Sequence, residues 1–258
     1  MKKLTLIAIL FCILGAGSLR ADDYTDAMVK SIKKLNAVTN ITDRTNLQKI
    51  RGDFERILQL KKNQWMVNYY IAMCDLFLAW SYYGDSTGTA NLQKYNESCL
   101  SLLDKSTDLK DDFAEAYILK MSANSNRWSY EPNKMNDIIA KGTEAKEKAQ
   151  KLDPKNPRFF VVDGTNLFYT PEMFGGGVDV AQPMFEKAWD LFTTYKPVDE
   201  TCPDWGRDNA AGMIAMCYIK KDKLADAKKW IDKALEIVPG SPVIVGIVMP
   251  EYEKAGGK

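Results

Sequence analysis

Histidine is absent from all 258 residues, and none of the five cysteines stands in a C-x-x-C pair. The first absence removes the commonest general base and the commonest metal ligand together. The second leaves zinc and thioredoxin-type chemistry without a motif. An excess of one charge is also lacking, since 35 Lys and Arg face 34 Asp and Glu. A nucleic-acid binder is expected to carry a basic surplus, so that class is excluded. No Gly-x-Ser-x-Gly elbow occurs, and no stretch alternates apolar and polar residues as a half-buried strand would. Carboxylates are plentiful, but they sit beside lysines at helical spacing, as in Glu144–Lys148 and Asp222–Asp226 with Lys229. That is the patterning of solvated helix faces. We expect no catalytic residue, no metal site and no cofactor.

Long hydrophobic runs are confined to the N-terminus. Lys2 and Lys3 precede a run from Leu4 to Leu14 that is apolar but for Thr5, and Gly15, Ala16, Gly17, Ser18 and Ala21 follow. A charged start, a short apolar middle and small residues at the end are the layout of a secretory signal peptide. The run is about half the roughly 20 residues needed to span a bilayer. Cys12 lies inside it, after Ile9-Leu10-Phe11, without the small residues that lipid attachment requires. The expectation is a signal peptide over 1–21 and an exported, periplasmic mature chain over 22–258 with no membrane insertion. Without Lys2, Lys3 and Arg20 the balance becomes 32 basic to 34 acidic residues.

From Tyr24 onward the apolar spacing is helical. Tyr24, Ala27, Met28, Ile32, Leu35 and Val38 recur at intervals of three and four, as do Leu47, Ile50, Phe54, Ile57 and Leu58. Each set makes one stripe on a helix. Turn signals at Asp85–Gly88, Glu131-Pro132-Asn133, Asp153–Pro157, Pro171–Gly177 and Pro239-Gly240 separate the segments. The reading is all-α, with about ten helices near 23–38, 43–62, 64–83, 90–107, 112–128, 134–152, 157–169, 178–195, 205–220 and 223–237. The connections are short, so neighbouring helices pack antiparallel.

The hairpins repeat. Counting from Asp208 as the first position, Ile214 is seventh, Ala215 eighth, Tyr218 eleventh, Ala227 twentieth, Ile231 twenty-fourth, Ala234 twenty-seventh and Pro239 thirty-second. This is the small-and-large pattern of a 34-residue helix–turn–helix, with only the tryptophan position departing at Ala211. Ala181, Phe185 and Ala188 repeat the second-helix spacing; so do Gly142 and Ala149, with Lys146 in the large position. The chain resembles the tetratricopeptide-repeat superfamily. Phe174–Gly177 followed by Ala181 and Phe185–Ala188 is similar to a pattern in exported bacterial repeat proteins, Bacteroidetes ones among them, and more distantly to the T-component of TRAP transporters. The resemblance implies antiparallel pairs stacked as a right-handed solenoid in a single domain over 22–258. Its repeats are divergent over 22–110 and clearer over 111–239, and 240–258 forms a C-terminal tail. It also implies a non-enzymatic scaffold that binds a protein or peptide. The alternative is a transport-associated, oligomeric component that binds a small ligand.

Three features are candidate sites. Aromatic residues at helix ends and in loops, namely Trp128, Tyr130, Tyr169, Phe174 and Trp205, can line a binding groove, because aromatics give large contact area with a polar tip. The Gly175, Gly176 and Gly177 run opens a helix and can hold an anion on backbone N–H groups. However, the next residues are Val178 and Asp179 rather than Lys and Ser/Thr, and a flexible structural turn is the favoured reading. Cys74 and Cys99 lie nearly symmetric about the turn at 86–87, so an antiparallel hairpin allows a disulfide between them. Buried free thiols are the default.

Overall fold

The computed structural model describes residues 21–85 and 88–257. The leader read at 1–21 lies outside these but for its last residue. Among the described residues there is no strand. Eleven α-helices follow in order: α1 (Ala21–Asn36), α2 (Arg44–Leu58), α3 (Gln64–Trp80), α4 (Thr89–Leu109), α5 (Ala114–Asn126), α6 (Met135–Leu152), α7 (Pro157–Tyr169), α8 (Val178–Leu191), α9 (Arg207–Lys220), α10 (Leu224–Ile237) and α11 (Met249–Lys254). Their boundaries follow local chemistry. Asp43 opens α2 by accepting the Asn46 N–H at 3.1 Å, and Asn156 opens α7 by accepting the Arg158 N–H at 3.0 Å, with Pro157 as the first helical residue. Each polar side chain satisfies a backbone donor that the helix leaves orphaned. No described helix is long and apolar enough to cross a membrane.

Helices pair as α1/α2, α3/α4, α5/α6, α7/α8 and α9/α10, and the odd-numbered helices also pack against one another in sequence, whereas the even-numbered ones do not. The odd helices therefore form the inner layer of a curved stack and the even helices its outer layer. The small positions of the repeat are where the layers meet. Ala181, Ala188, Ala215, Ala227 and Ala234 are fully buried, with Phe185 and Ile231 filling the space beside them. Gly164 carries this furthest, since a Cβ there would sit 2.8 Å from the Phe185 ring. Lys146, out of place in the sequence pattern, reaches Asp163 of α7 with Nζ 2.7 Å from Oδ1. It spans the gap with its stem and keeps a carboxylate partner at its tip.

The C-terminal tail is structured: a π-helical turn at Ile244–Val248 leads into α11, and both pack on α9 as a capping helix. Ile244, Val248 and Tyr252 are buried there, and they cover an apolar helix face that would otherwise end the stack in water. Cys74 and Cys99 are free, buried thiols, and the hairpin holds them without a disulfide.

The inner layer carries a buried ion pair between neighbouring repeats. Arg158 of α7 meets Glu115 of α5, with Nε 2.7 Å and Nη2 2.6 Å from Oε1. Asn156 donates to the same oxygen at 2.7 Å. Burial opposes the Arg158 charge, but the Glu115 carboxylate outweighs it and the guanidinium is held above its ordinary range. Removing one partner strands the other charge in the interior. Arg158→Leu is therefore expected to lower unfolding free energy by about 3–5 kcal/mol. The double substitution with Glu115→Leu should recover most of that loss, read by urea denaturation of both variants.

Candidate functional site

In a curved stack of helix pairs the inner face is the usual place for a ligand. Here it is occupied by the chain itself. The segment between α8 and α9, residues 192–206, crosses the inner layer and seats on α3, about 130 positions away in sequence. Tyr70 donates from Oη to the Thr201 carbonyl at 2.9 Å, and Trp205 donates from Nε1 to Tyr69 Oη at 2.9 Å. Burial pushes both tyrosine hydroxyls well above their ordinary range, so both stay neutral. Asp199 shapes the strap by accepting the Thr201 N–H and hydroxyl at 2.7 and 2.6 Å. Those bonds from Thr201 hold its carboxyl below the usual carboxylate range. The Trp205 ring packs between the apolar clusters of the first and middle repeats. Trp205 thus serves as a plug, and its place among groove-lining aromatics is corrected: its ring and its N–H are both engaged internally.

The four other aromatic candidates lie at the opposite ends of the inner helices, where each odd helix turns into its even partner. Links between neighbouring turns make these ends one continuous edge. Ser129 donates to Tyr83 Oη at 3.3 Å, and Tyr83 to Asn126 at 3.0 Å. Ser125 donates to Asn166 at 2.8 Å. Trp128 and Tyr169 each stand three residues beyond that last pair, so they project from adjacent turns. Tyr130 is on the same edge but half-buried, its hydroxyl accepting from Asn96 Nδ2 at 2.8 Å; it braces the edge instead of facing a ligand.

The most exposed part of this edge is the turn after α7. Tyr169 is 63% exposed, Met173 83% and Phe174 72%. Sequence reasoning named the two aromatics and missed Met173, whose only signal was its position in the same loop. Surrounding protein raises the Tyr169 phenol above its ordinary value, with a smaller push from Glu251. The glycine run shapes the turn. Gly175 N–H binds the Glu172 carbonyl at 2.9 Å, Gly176 the Pro171 carbonyl at 3.3 Å and Gly177 the Leu167 carbonyl at 2.9 Å. All three donors are bonded within the chain, so the loop is a structural turn with no free nest for an anion. Asp179 at the start of α8 pairs with Lys221 at 2.8 Å. Among the described residues no group of three or more His, Cys, Asp and Glu is placed to hold a metal ion.

No family model matches this sequence, and no curated protein does. Solved structures do match. The HusA haemophore from Porphyromonas gingivalis aligns with a TM-score of 0.65 and 26% identity over 79% of this chain and 96% of its own. A thermophilic TPR protein, TTC0263 of Thermus thermophilus, aligns with a TM-score of 0.60 and 15% identity over 90% of this chain and 98% of its own. The fold is a tetratricopeptide-like helical solenoid. Its structural relatives include a haemophore and a repeat protein, which point to a helical scaffold or binding protein.

Two substitutions test this anatomy. Trp205→Ala is expected to free the strap, so that limited proteolysis cuts within residues 193–204 at rates the native protein does not show. Gly177→Ala places a Cβ 2.7 Å from Glu172 Cγ at a φ of +102°. It should cost about 1–3 kcal/mol in thermal unfolding.

Proposed function

We propose that this chain is an exported binding protein that carries a flat, apolar ligand of the porphyrin class on the edge formed by Tyr169, Met173 and Phe174. The observation that carries the reading is the exposure of those three large side chains on one rigid turn. Isolated exposed apolar residues need no explanation, but three on one short turn mark a contact surface. The structural similarity to a haemophore, at 26% identity and over nearly the whole of that protein, supports the ligand class. The N-terminal pattern of Lys2-Lys3, apolar run and small residues supports export.

The residues fit the group in a specific way. With no histidine in the chain, an iron centre has only Tyr, Met, Cys or Lys to meet, and Cys74, Cys99 and Cys217 are buried. The neutral Tyr169 phenol offers a ring face and a hydroxyl, Met173 a polarisable thioether and Phe174 a second ring. The grip is therefore on the macrocycle, by stacking and area burial. The small-ligand alternative is the one adopted, because the strap fills the inner face where a repeat scaffold would take a peptide.

Titration of the protein with ferric haem and, separately, with metal-free protoporphyrin IX, followed by Soret absorbance and tryptophan quenching, tests the reading. Both ligands are expected to bind in the micromolar range or tighter, and Phe174→Ala with Met173→Ala should weaken both by about tenfold or more. Saturable binding that the double variant leaves unchanged would remove the edge from the site. No spectral change with either ligand would remove the proposal.

A further inference from the structure

The aromatic turn shares its edge with a group of charges. The odd-numbered helices run parallel, so Lys220, the last residue of α9, comes to the same end of the stack as Tyr169, the last residue of α7. Lys221 fixes that alignment. Its ammonium pairs with Asp179 at 2.8 Å and donates to the Gln182 carboxamide oxygen at 2.9 Å. The end of α9 is thereby tied to the first turn of α8, directly after the glycine turn. α11 packs on α9 and brings Glu251 and Lys254 to Lys220. The push that Glu251 exerts on the Tyr169 phenol shows that this group borders the aromatic turn.

These charges differ in how far they are already engaged. Lys221 is held at hydrogen-bond distance by two partners. Lys220 and Lys254 both address the single carboxylate of Glu251, from 3.6 and 3.9 Å. Those distances exceed the roughly 3.2 Å limit of a good N–H···O bond. Two ammonium groups bring six donors and two positive charges, and one carboxylate at long range balances only half of that charge. Both lysines are exposed, and exposed ion pairs of this kind add little to stability, so a ligand carboxylate can displace Glu251 at small cost. Glu172, the turn's own carboxylate, folds its stem back over Gly177 at the base of α8. The cationic margin of the turn is therefore the one toward α9 and α11.

We propose that Lys220 and Lys254 receive the carboxylate side chains of a porphyrin whose ring stacks on Tyr169, Met173 and Phe174. The inference rests on the porphyrin reading and adds the part of the ligand that stacking does not recognise. An apolar face holds any flat aromatic disc. Two lysines along one margin fix the disc's orientation and select macrocycles that carry propionates on one side. These contacts lie at a solvated rim, so they are screened by salt and act on capture as well as on affinity.

Metal-free protoporphyrin IX and its dimethyl ester, which keeps the ring and loses both charges, separate the two levels. The acid is expected to bind the native protein about tenfold more tightly than the ester. Lys220→Gln with Lys254→Gln should remove that margin for the acid and leave the ester unchanged. Glu251→Gln releases both lysines and should tighten the acid by about two- to threefold, a gain that damage to the fold cannot produce. Raising salt from about 50 to 500 mM should weaken the acid and not the ester. If neither compound binds, the porphyrin reading fails and this inference with it. If acid and ester bind alike and the double lysine variant matches the native protein, the lysine contacts are overturned while the aromatic edge stands. A larger loss from Lys221→Gln than from the double variant would also overturn them.

Discussion

A stack of helix pairs has an inner face that must be covered or left wet, and in this protein the chain covers it with its own α8–α9 segment. Two hydrogen bonds across some 130 residues, from Tyr70 to Thr201 and from Trp205 to Tyr69, fix the strap. The Trp205 ring then joins apolar clusters that would otherwise be separate. A solenoid is held together mainly by contacts between neighbours. This one gains a long-range tie, and the turn at Gly240 lies beside Thr39 near the other end of the chain. The result is a closed, stiffened curve whose interior serves stability. The exposed edge argued above lies outside that interior.

Much of the architecture was legible in the sequence because the repeat is a steric code. Ala215, Ala227 and Ala234 are small since two helix backbones approach there, and the structure buries all three completely. The helix at 157–169 was readable to the residue, because Asn156 and Pro157 specify a start by capping and fixed φ. The strap was not legible. Nothing in residues 192–206 announces that Trp205 will lie beside Tyr69, since that proximity arises only once five helix pairs have curved. The same limit applies to Trp205 as a candidate site residue: a tryptophan ahead of a helix reads the same whether it faces solvent or plugs a core. The capping helix was missed for another reason. The apolar stretch from Val243 to Met249 follows Pro239-Gly240 and breaks the 34-residue register, so it carried no repeat signal.

The candidate site shows a similar division. Tyr169 and Phe174 stood out because aromatics in a loop are conspicuous, whereas Met173 gained its meaning only from an exposure that sequence does not encode. The glycine run was ambiguous on sequence grounds between an anion nest and a turn. Hydrogen-bond accounting decides it, because every backbone donor must go somewhere and all three go to carbonyls of residues 167–172.

The absence of histidine then takes on a wider meaning. A carrier that grips a metal gains affinity from a coordinate bond at the cost of slow release, whereas one that grips a ring by stacking is limited by the area it can bury. Tyr169, Met173 and Phe174 on one turn offer a modest area, which suits capture and hand-over better than storage. Glycines fix that turn at Gly175 and Gly177, where φ is positive, so its side chains are presented with little ordering left to lose on binding. A rigid, exposed, apolar turn on a closed solenoid is therefore consistent in its parts. The interior supplies the rigidity, and the edge is left exposed, as the proposed stacking grip requires.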